Sequence, residues 1–239
     1  MFLYTKLLGV ISNTSLSQLQ NYFEEIWELP CNVKIEYTKN TEKLTEAKKF
    51  LQTNYQQLKK IHPYIFEKSN YMDVTIPTNN ITLITNSPEP INKEPELWYM
   101  MHQLMQESEN VIIQTPYIVC SRDMYNDLDE LCNNSNLEII TNSVESGANP
   151  WGSTDYLKQK KKILNTGASV FEYTSDKSSH TKTILIDDRI SIIGSYNLDM
   201  RSTYLDTEMM LVIDCKELNS SLNISADRDK EQSKCVYPN

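Results

Sequence analysis

The stretch HTKTILIDDRISIIGSYN, residues 180–197, decides how this chain is read. Two short β-rich runs, Thr183–Ile186 and Ser191–Ile193, flank the polar turn Asp187-Asp188-Arg189, a strand–turn–strand pattern. Alternation along an extended strand puts His180 and Lys182 on one face and Thr181 and Thr183 on the other, so an imidazole and an ammonium converge on one phosphate. The second strand ends at Gly194-Ser195-Tyr196-Asn197. There Ser195 and Asn197 share a face and offer hydrogen-bond donors to phosphate oxygens, while Gly194 is expected to let the backbone approach the anion closely.

Working outward, strand-like and helical segments alternate. Strands are predicted at residues 81–85, 111–114, 137–141, 169–173 and 208–213 beside the pair already named. Helices are predicted at 96–108, about 122–133 and 154–165, the last ended by Gly167. Such alternation predicts an α/β fold, a mixed β-sheet with helices on both faces. The runs IIQT and LEIIT are nearly continuous in hydrophobicity, which fits central strands covered on both sides.

Before this region lies a helical N-terminal section. Leu16, Leu19, Phe23, Ile26 and Trp27 recur at helical spacing until Pro30, and Leu44, Ala47, Leu51, Tyr55 and Leu58 line a second helix from about 41 to 61. The expected organisation is therefore a helical section at 1–72, an α/β domain at 73–216 and, because ELNSSLNISADRDKEQSKCVYPN is polar with little periodicity, a loosely ordered tail at 217–239.

Composition narrows the function. At 39% hydrophobic and 23% charged, the 239 residues belong to an ordinary globular protein. A formal charge of −9 disfavours unselective nucleic-acid binding. No stretch approaches 18 uninterrupted apolar residues, and Lys6 interrupts the opening Met1–Ser12 run, so neither a span nor a signal segment is read and a cytoplasmic or peripheral membrane location is expected. The five cysteines are scattered, with no C-x-x-C, and the three histidines are too few for a histidine-rich metal cage. No cofactor and no metal are expected. Any histidine chemistry must use His62, His102 or His180. His102 lies in the apolar WYMMHQLM helix and His62 precedes a helix-ending proline, so both read as structural, as do the methionines and aromatics around Trp98–Met105. The lysine run 158–162 reads as a solvated helix face that lipid or nucleic-acid phosphates could also use.

The pattern H-x-K-x4-D-x6-G-S-x-N, from His180 through Asp187 to Asn197, resembles the signature of the phospholipase D superfamily. TPY at Thr115–Tyr117, TNS at Thr141–Ser143, NPWGSTDY at Asn149–Tyr156 and NLDMRSTYLDTE at Asn197–Glu208 are similar to the second half of bacterial cardiolipin-synthase-like members, over roughly residues 72–214. The resemblance implies a phosphodiesterase or phosphatidyl transferase working through a phosphohistidine, with His180 as nucleophile or general acid. It implies that Lys182, Ser195 and Asn197 stabilise charge, that Glu208 holds the other histidine nitrogen, that Asp187, grouped with the motif's catalytic residues, supports the turn more than it touches substrate, and that Gly194, Tyr117 and Asn142 line the substrate.

Members of this family pair two copies of the motif, one histidine attacking phosphorus and the other protonating the leaving alcohol. One copy is present here, so the expected partners are a phosphatidylglycerol-like phospholipid, a membrane surface, and either a complementary first half or a second copy of the chain; nucleic acid is not expected. Three functions follow: half of a lipid-acting enzyme, a homodimeric nuclease, and a catalytically incomplete remnant that binds head groups or a partner half.

Overall fold

The structure, a computed structural model, describes residues 13–35, 41–67, 73, 75–89, 91, 93–147 and 150–237. The opening run, the boundary expected at residue 72, and Asn149 lie outside the described residues. The chain divides into two compact units, one made of residues 1–26 and 77–239, the other of 27–76. The division differs from the expected one, because the first helix belongs with the sheet up to Ile26.

In the larger unit, helix α1 (Asn13–Trp27, shared with the second unit at its last residue) precedes strand β1 (Asn80–Thr85). Next come α3 (Glu96–Met105), β2 (Asn110–Gln114), β3 (Ile118–Val119), α4 (Arg122–Asn134), β4 (Asn136–Asn142), α5 (Pro150–Asn165) and β5 (Ser169–Tyr173). The remainder is β6 (Thr183–Ile186), β7 (Ile190–Gly194), β8 (Leu198–Asp199), α6 (Met200–Tyr204), β9 (Met209–Asp214), α7 (Lys216–Glu231) and β10 (Ser233–Val236). In the smaller unit, α2 (Glu42–Ile61) is capped by the Thr41 side chain and followed by a 3-10 turn at Pro63–Phe66, where Tyr55 meets Phe66 edge-on at 5.4 Å. The face of α2 expected to be apolar stays exposed, and none of its residues is buried.

Among the described residues, eight strands form one mixed sheet in the order β1-β9-β7-β6-β2-β4-β5-β10, the mixed α/β sheet that the alternation predicts. β2, β4 and β5 run parallel, whereas β6, β7, β9 and β1 alternate in direction. The pleat sends Val111, Ile113, Leu137, Ile139, Val170, Ile184 and Ile192 into the main core with Leu97, Met101, Leu128 and Ile163 of α3, α4 and α5. It sends Ile112, Ile140, Phe171 and Leu185 to the other face, where Leu222 and Ala226 of α7 cover them.

The tail is thus a correction: residues 216–231 form a full helix and 233–236 pair antiparallel with β5. Its inward face has few apolar residues because polar anchors replace them. Asn219 Nδ2 donates to Ile190 O at 2.7 Å, Gln114 Nε2 to Asp229 Oδ2 at 2.8 Å, and Lys230 Nζ to Glu138 Oε2 at 2.8 Å. Acidic Glu217 in the first turn and Arg228 and Lys230 in the last complement the helix dipole.

Candidate active site

The C-terminal ends of β2, β4, β5 and β7 and the N-terminal ends of β6 and β9 share one end of the sheet, and the motif gathers there. His180 and Lys182 lie in the extended segment that leads into β6, not within the strand as predicted; the ladder begins at Thr183, with Lys182 O accepting from Gly194 N at 3.4 Å. What fixes this segment is Asn142, the last residue of β4. Its Oδ1 accepts from Ser179 N at 2.7 Å and its Nδ2 donates to Ser179 O at 2.9 Å, which closes the amide on the backbone beside His180. The expected substrate contact for Asn142 is therefore corrected to a positioning role, since both its polar atoms are engaged.

His180 is exposed, and its partner is Lys182, whose Nζ stands 3.2 Å from both Nδ1 and Nε2. An ammonium equidistant from two ring nitrogens acts on the ring as a charge rather than as a donor to one lone pair. Partial burial, then the Lys182 charge, lowers the His180 pKa and favours neutral imidazole. Burial also lowers the Lys182 pKa, and the carboxylates of Glu208 and Asp199 oppose that shift.

Glu208, 7% exposed, does not make the predicted bond to His180. Its Oε1 accepts from Ser202 Oγ at 2.7 Å. Ser202 Oγ in turn accepts from Asn197 N at 3.2 Å and from Asn197 Nδ2 at 3.4 Å, so Asn197, Ser202 and Glu208 form one chain of hydrogen bonds. The Asn197 Oδ1 is buried without a partner among the described residues. Ser195 Oγ is likewise occupied, accepting from Met209 N at 3.0 Å and donating to Met209 O at 3.3 Å. It braces β7 against β9 next to Glu208.

Gly194 has a packing reason in place of the expected anion approach: a Cβ there would meet Met209 O at 2.1 Å and Met210 Cα at 2.8 Å. Tyr117 is half-buried in the connection between β2 and β3 at the same end. Asp187 lies at the far end of β6, five residues beyond Lys182. With φ at +49° its Oδ1 accepts from Glu109 N at 3.0 Å and Asn110 N at 2.9 Å, so it shapes the β6–β7 turn and is not in the site.

Three residues escaped the sequence reading. Ser202 joins Asn197 to Glu208, and Thr115 Oγ1 accepts from Leu198 N at 3.1 Å, fixing the strand pair β3–β8 that carries the chain past Asn197. Asn86, fully buried, donates through N to Glu208 O at 3.0 Å and through Nδ2 to Ser202 O at 2.8 Å, while Tyr22 Oη on α1 donates to Asn86 O at 2.9 Å. Ser202 and Thr115 fall inside quoted motif stretches; nothing local marks Asn86, whose partners Tyr22, Ser202 and Glu208 all lie 64 or more residues away. His102 is buried with Nε2 3.2 Å from Asp127 O, outside the site as expected. Among the described residues no group of three or more His, Cys, Asp or Glu side chains converges to hold a metal.

This end of the sheet gathers the histidine, lysine, serine and asparagine of a phospholipase D-type motif. The family model described as "Cardiolipin synthase, PLD-like domain" matches residues 100–230, and the chain belongs to that family. It is 30% identical over 163 residues to cardiolipin synthase A of Buchnera aphidicola subsp. Baizongia pistaciae, covering 64% of this chain and 32% of that protein. It is 32% identical over 133 residues to cardiolipin synthase A of Serratia proteamaculans, covering 52% and 26%. The chain therefore spans about a third or less of the curated relatives it matches. In fold it is similar to the phospholipase D family member Nuc from Salmonella typhimurium, with a TM-score of 0.54, 16% identity, and coverage of 66% of this chain and 99% of that one. Among the described residues no helix is long and apolar enough to cross a membrane.

Proposed function

We propose that this chain supplies one half of a phospholipase D-type active site that transfers or hydrolyses phosphatidyl groups, with His180 as the nucleophile. The observation that carries the reading is the exposed His180 ring with the Lys182 ammonium 3.2 Å from both its nitrogens. Partial burial, then the cation, lower the ring's pKa and favour the neutral form with a lone pair for phosphorus, and the same ammonium is placed to meet the charge that grows on the phosphoryl oxygens.

In the first displacement a His180 nitrogen bonds to phosphorus and the head-group alcohol departs, taking a proton from a general acid. In the second an acceptor alcohol or water, losing its proton to that same group, attacks phosphorus and releases His180. That acid is a second histidine, supplied by a complementary first-motif half or by a second copy of the chain, and it contributes on the order of 10²–10⁴-fold. Glu208 acts through Lys182: its carboxylate, held by Ser202, sustains the ammonium charge. Lysine supplies the positive charge, so EDTA is expected to leave turnover unchanged.

Incubating the purified chain with phosphatidylglycerol, with and without the complementary half, and sedimenting it in parallel, tests this. The half-site reading expects a slow or inert monomer and fast turnover once two histidines are apposed. Full activity from a monomer overturns it, and inertness in both the paired chain and a dimer leaves a head-group-binding remnant as the function.

A further inference from the structure

The lysine run 158–162 does not act as one unit. Lys160 turns inward, where its Nζ meets Glu172 Oε1 at 2.6 Å beside the Tyr156 hydroxyl, and Gln159 accepts from Cys120 N at 3.0 Å. With Tyr156 and Ile163 these pin the inner face of α5 to the core. The outward face carries Trp151, Leu157, Lys158, Lys161 and Lys162, all exposed, Trp151 by 83% and Leu157 by 51%. At 3.6 residues per turn these positions fall on one continuous arc. On that arc Lys158 has one acidic neighbour, Asp155 at 3.6 Å, and Lys162 lies 5.9 Å from the centre of the Tyr125 ring.

A chain of net charge −9 thus concentrates three exposed cations, with an exposed indole and an exposed leucine, on one helix face. That is the composition of a helix lying in a lipid interface, aromatic and aliphatic groups at the acyl boundary and lysines at the phosphates. α5 also starts in the connection from Asn142, so Trp151 stands at the site's end of the sheet, where exposed Val144, Met200 and Leu205 also lie in or beside the connections.

We infer that the outward face of α5 is a docking surface for an anionic phospholipid bilayer, with Trp151 and Leu157 at the acyl boundary and Lys158, Lys161 and Lys162 on head-group phosphates. The inference rests on the proposed function for its lipid context and adds the surface that meets the bilayer. Duplex DNA and a second copy of the chain are the other possible occupants. They fit less well, because a phosphate backbone gives no burial to the indole and a second copy of this face brings its own three lysines.

The test is flotation of the full chain with phosphatidylcholine vesicles, with and without one-third phosphatidylglycerol. Binding is expected to the anionic vesicles alone and to be lost at about 1 M salt, where screening reaches ~3 Å. Combining Lys158→Gln, Lys161→Gln and Lys162→Gln should weaken it at least about 10-fold, and Trp151→Ala several-fold, with unchanged thermal unfolding in both. Equal binding to both vesicle types, or unchanged binding by the triple variant, overturns the inference. So does a preference of the same lysines for duplex DNA, or a dimer in sedimentation that the triple variant dissolves. Flotation needs no turnover: a chain that floats yet stays inert with its complementary half removes the enzymatic reading alone. One that turns over a soluble diester but does not float removes the docking surface alone.

Discussion

The two ends of the sheet are built from the same strands and do opposite work. At the end where β6 begins, polar side chains hold one another and the backbone around an exposed imidazole: Asn142 on Ser179, Ser202 on Glu208 and Asn197, Ser195 on Met209. At the end where β6 finishes, they tie turns. Asp187 collects two backbone amides, Arg189 forks onto Asp214 with two 2.6 Å bonds, and Lys216 meets Asp188 at 2.9 Å. Beside these turns an open groove of about 800 Å³ is lined with Glu107, Glu109, Glu138 and Asp227, a polarity hostile to phosphates. The motif spans both ends, with its lysine roughly 16 Å and its histidine roughly 23 Å of extended chain away from its aspartate at 3.3 Å per residue. A linear signature therefore mixes chemistry with architecture, and only position in the sheet separates them.

The sharpest way to break this contrast is His180→Ala. Turnover with the complementary half should fall on the order of 10⁴-fold or more, and the melting temperature should stay put because the side chain is exposed. Retained activity would end the assignment of chemistry to this end. Ser202→Ala comes next. It removes the shared partner of Asn197 and Glu208, so kcat/KM should drop about 10–100-fold, with a stability loss of about 1–3 kcal/mol from buried groups left unpaired. A kinetic effect without a stability effect would mean that the network is not structural support.

Asp187→Ala, at the opposite end, should behave in the reverse way. It loses two amide acceptor contacts and keeps a left-handed backbone, for a cost of about 2 kcal/mol read as a lower melting temperature. Turnover of the folded fraction should not change. Asp187→Asn should recover much of the loss, since asparagine tolerates that conformation and still offers an oxygen. A drop in kcat for the folded variant would return Asp187 to the site.

The smallest effect concerns pH. Because the His180 pKa is lowered from 6.5, the folded chain binds fewer protons than the unfolded chain just below that value. Stability from this group is therefore present above 6.5 and is lost as pH falls through the window between the two pKa values. NMR titration should find His180 below its ordinary value. Lys182→Met should move it only part of the way back, because burial is the larger cause and the lysine charge the second. No movement would show that Lys182 does not govern the ring.

The sequence disclosed the alternating α/β order, the helix stop at Gly167 and the convergence of His180 and Lys182, because periodicity and short spacings are local signals. α7 was hidden since its inward face is Asn219, Leu222, Ala226 and Asp229, anchored by bonds to strands distant in sequence. Glu208 was read as the carboxylate that holds His180, and its bond to Ser202 was not legible, because the course of the chain through α6 decides which way the carboxylate turns. Gly194 was read as a gap for an anion when a neighbouring strand fills that gap.

Among the described residues β1 pairs with β9 alone, Thr85 opposite Met209, across about 120 residues of intervening chain. A ribosome adding roughly 5–20 residues per second therefore delivers β1 on the order of 10 s before its partner exists. During that wait Asn80–Thr85, a β-prone run, is an unpaired edge open to foreign strands. Vectorial synthesis makes the first strand of this sheet among the last to be zipped, and slow translation or a pause ahead of Met209 should raise aggregation of nascent chains with no change in the finished fold.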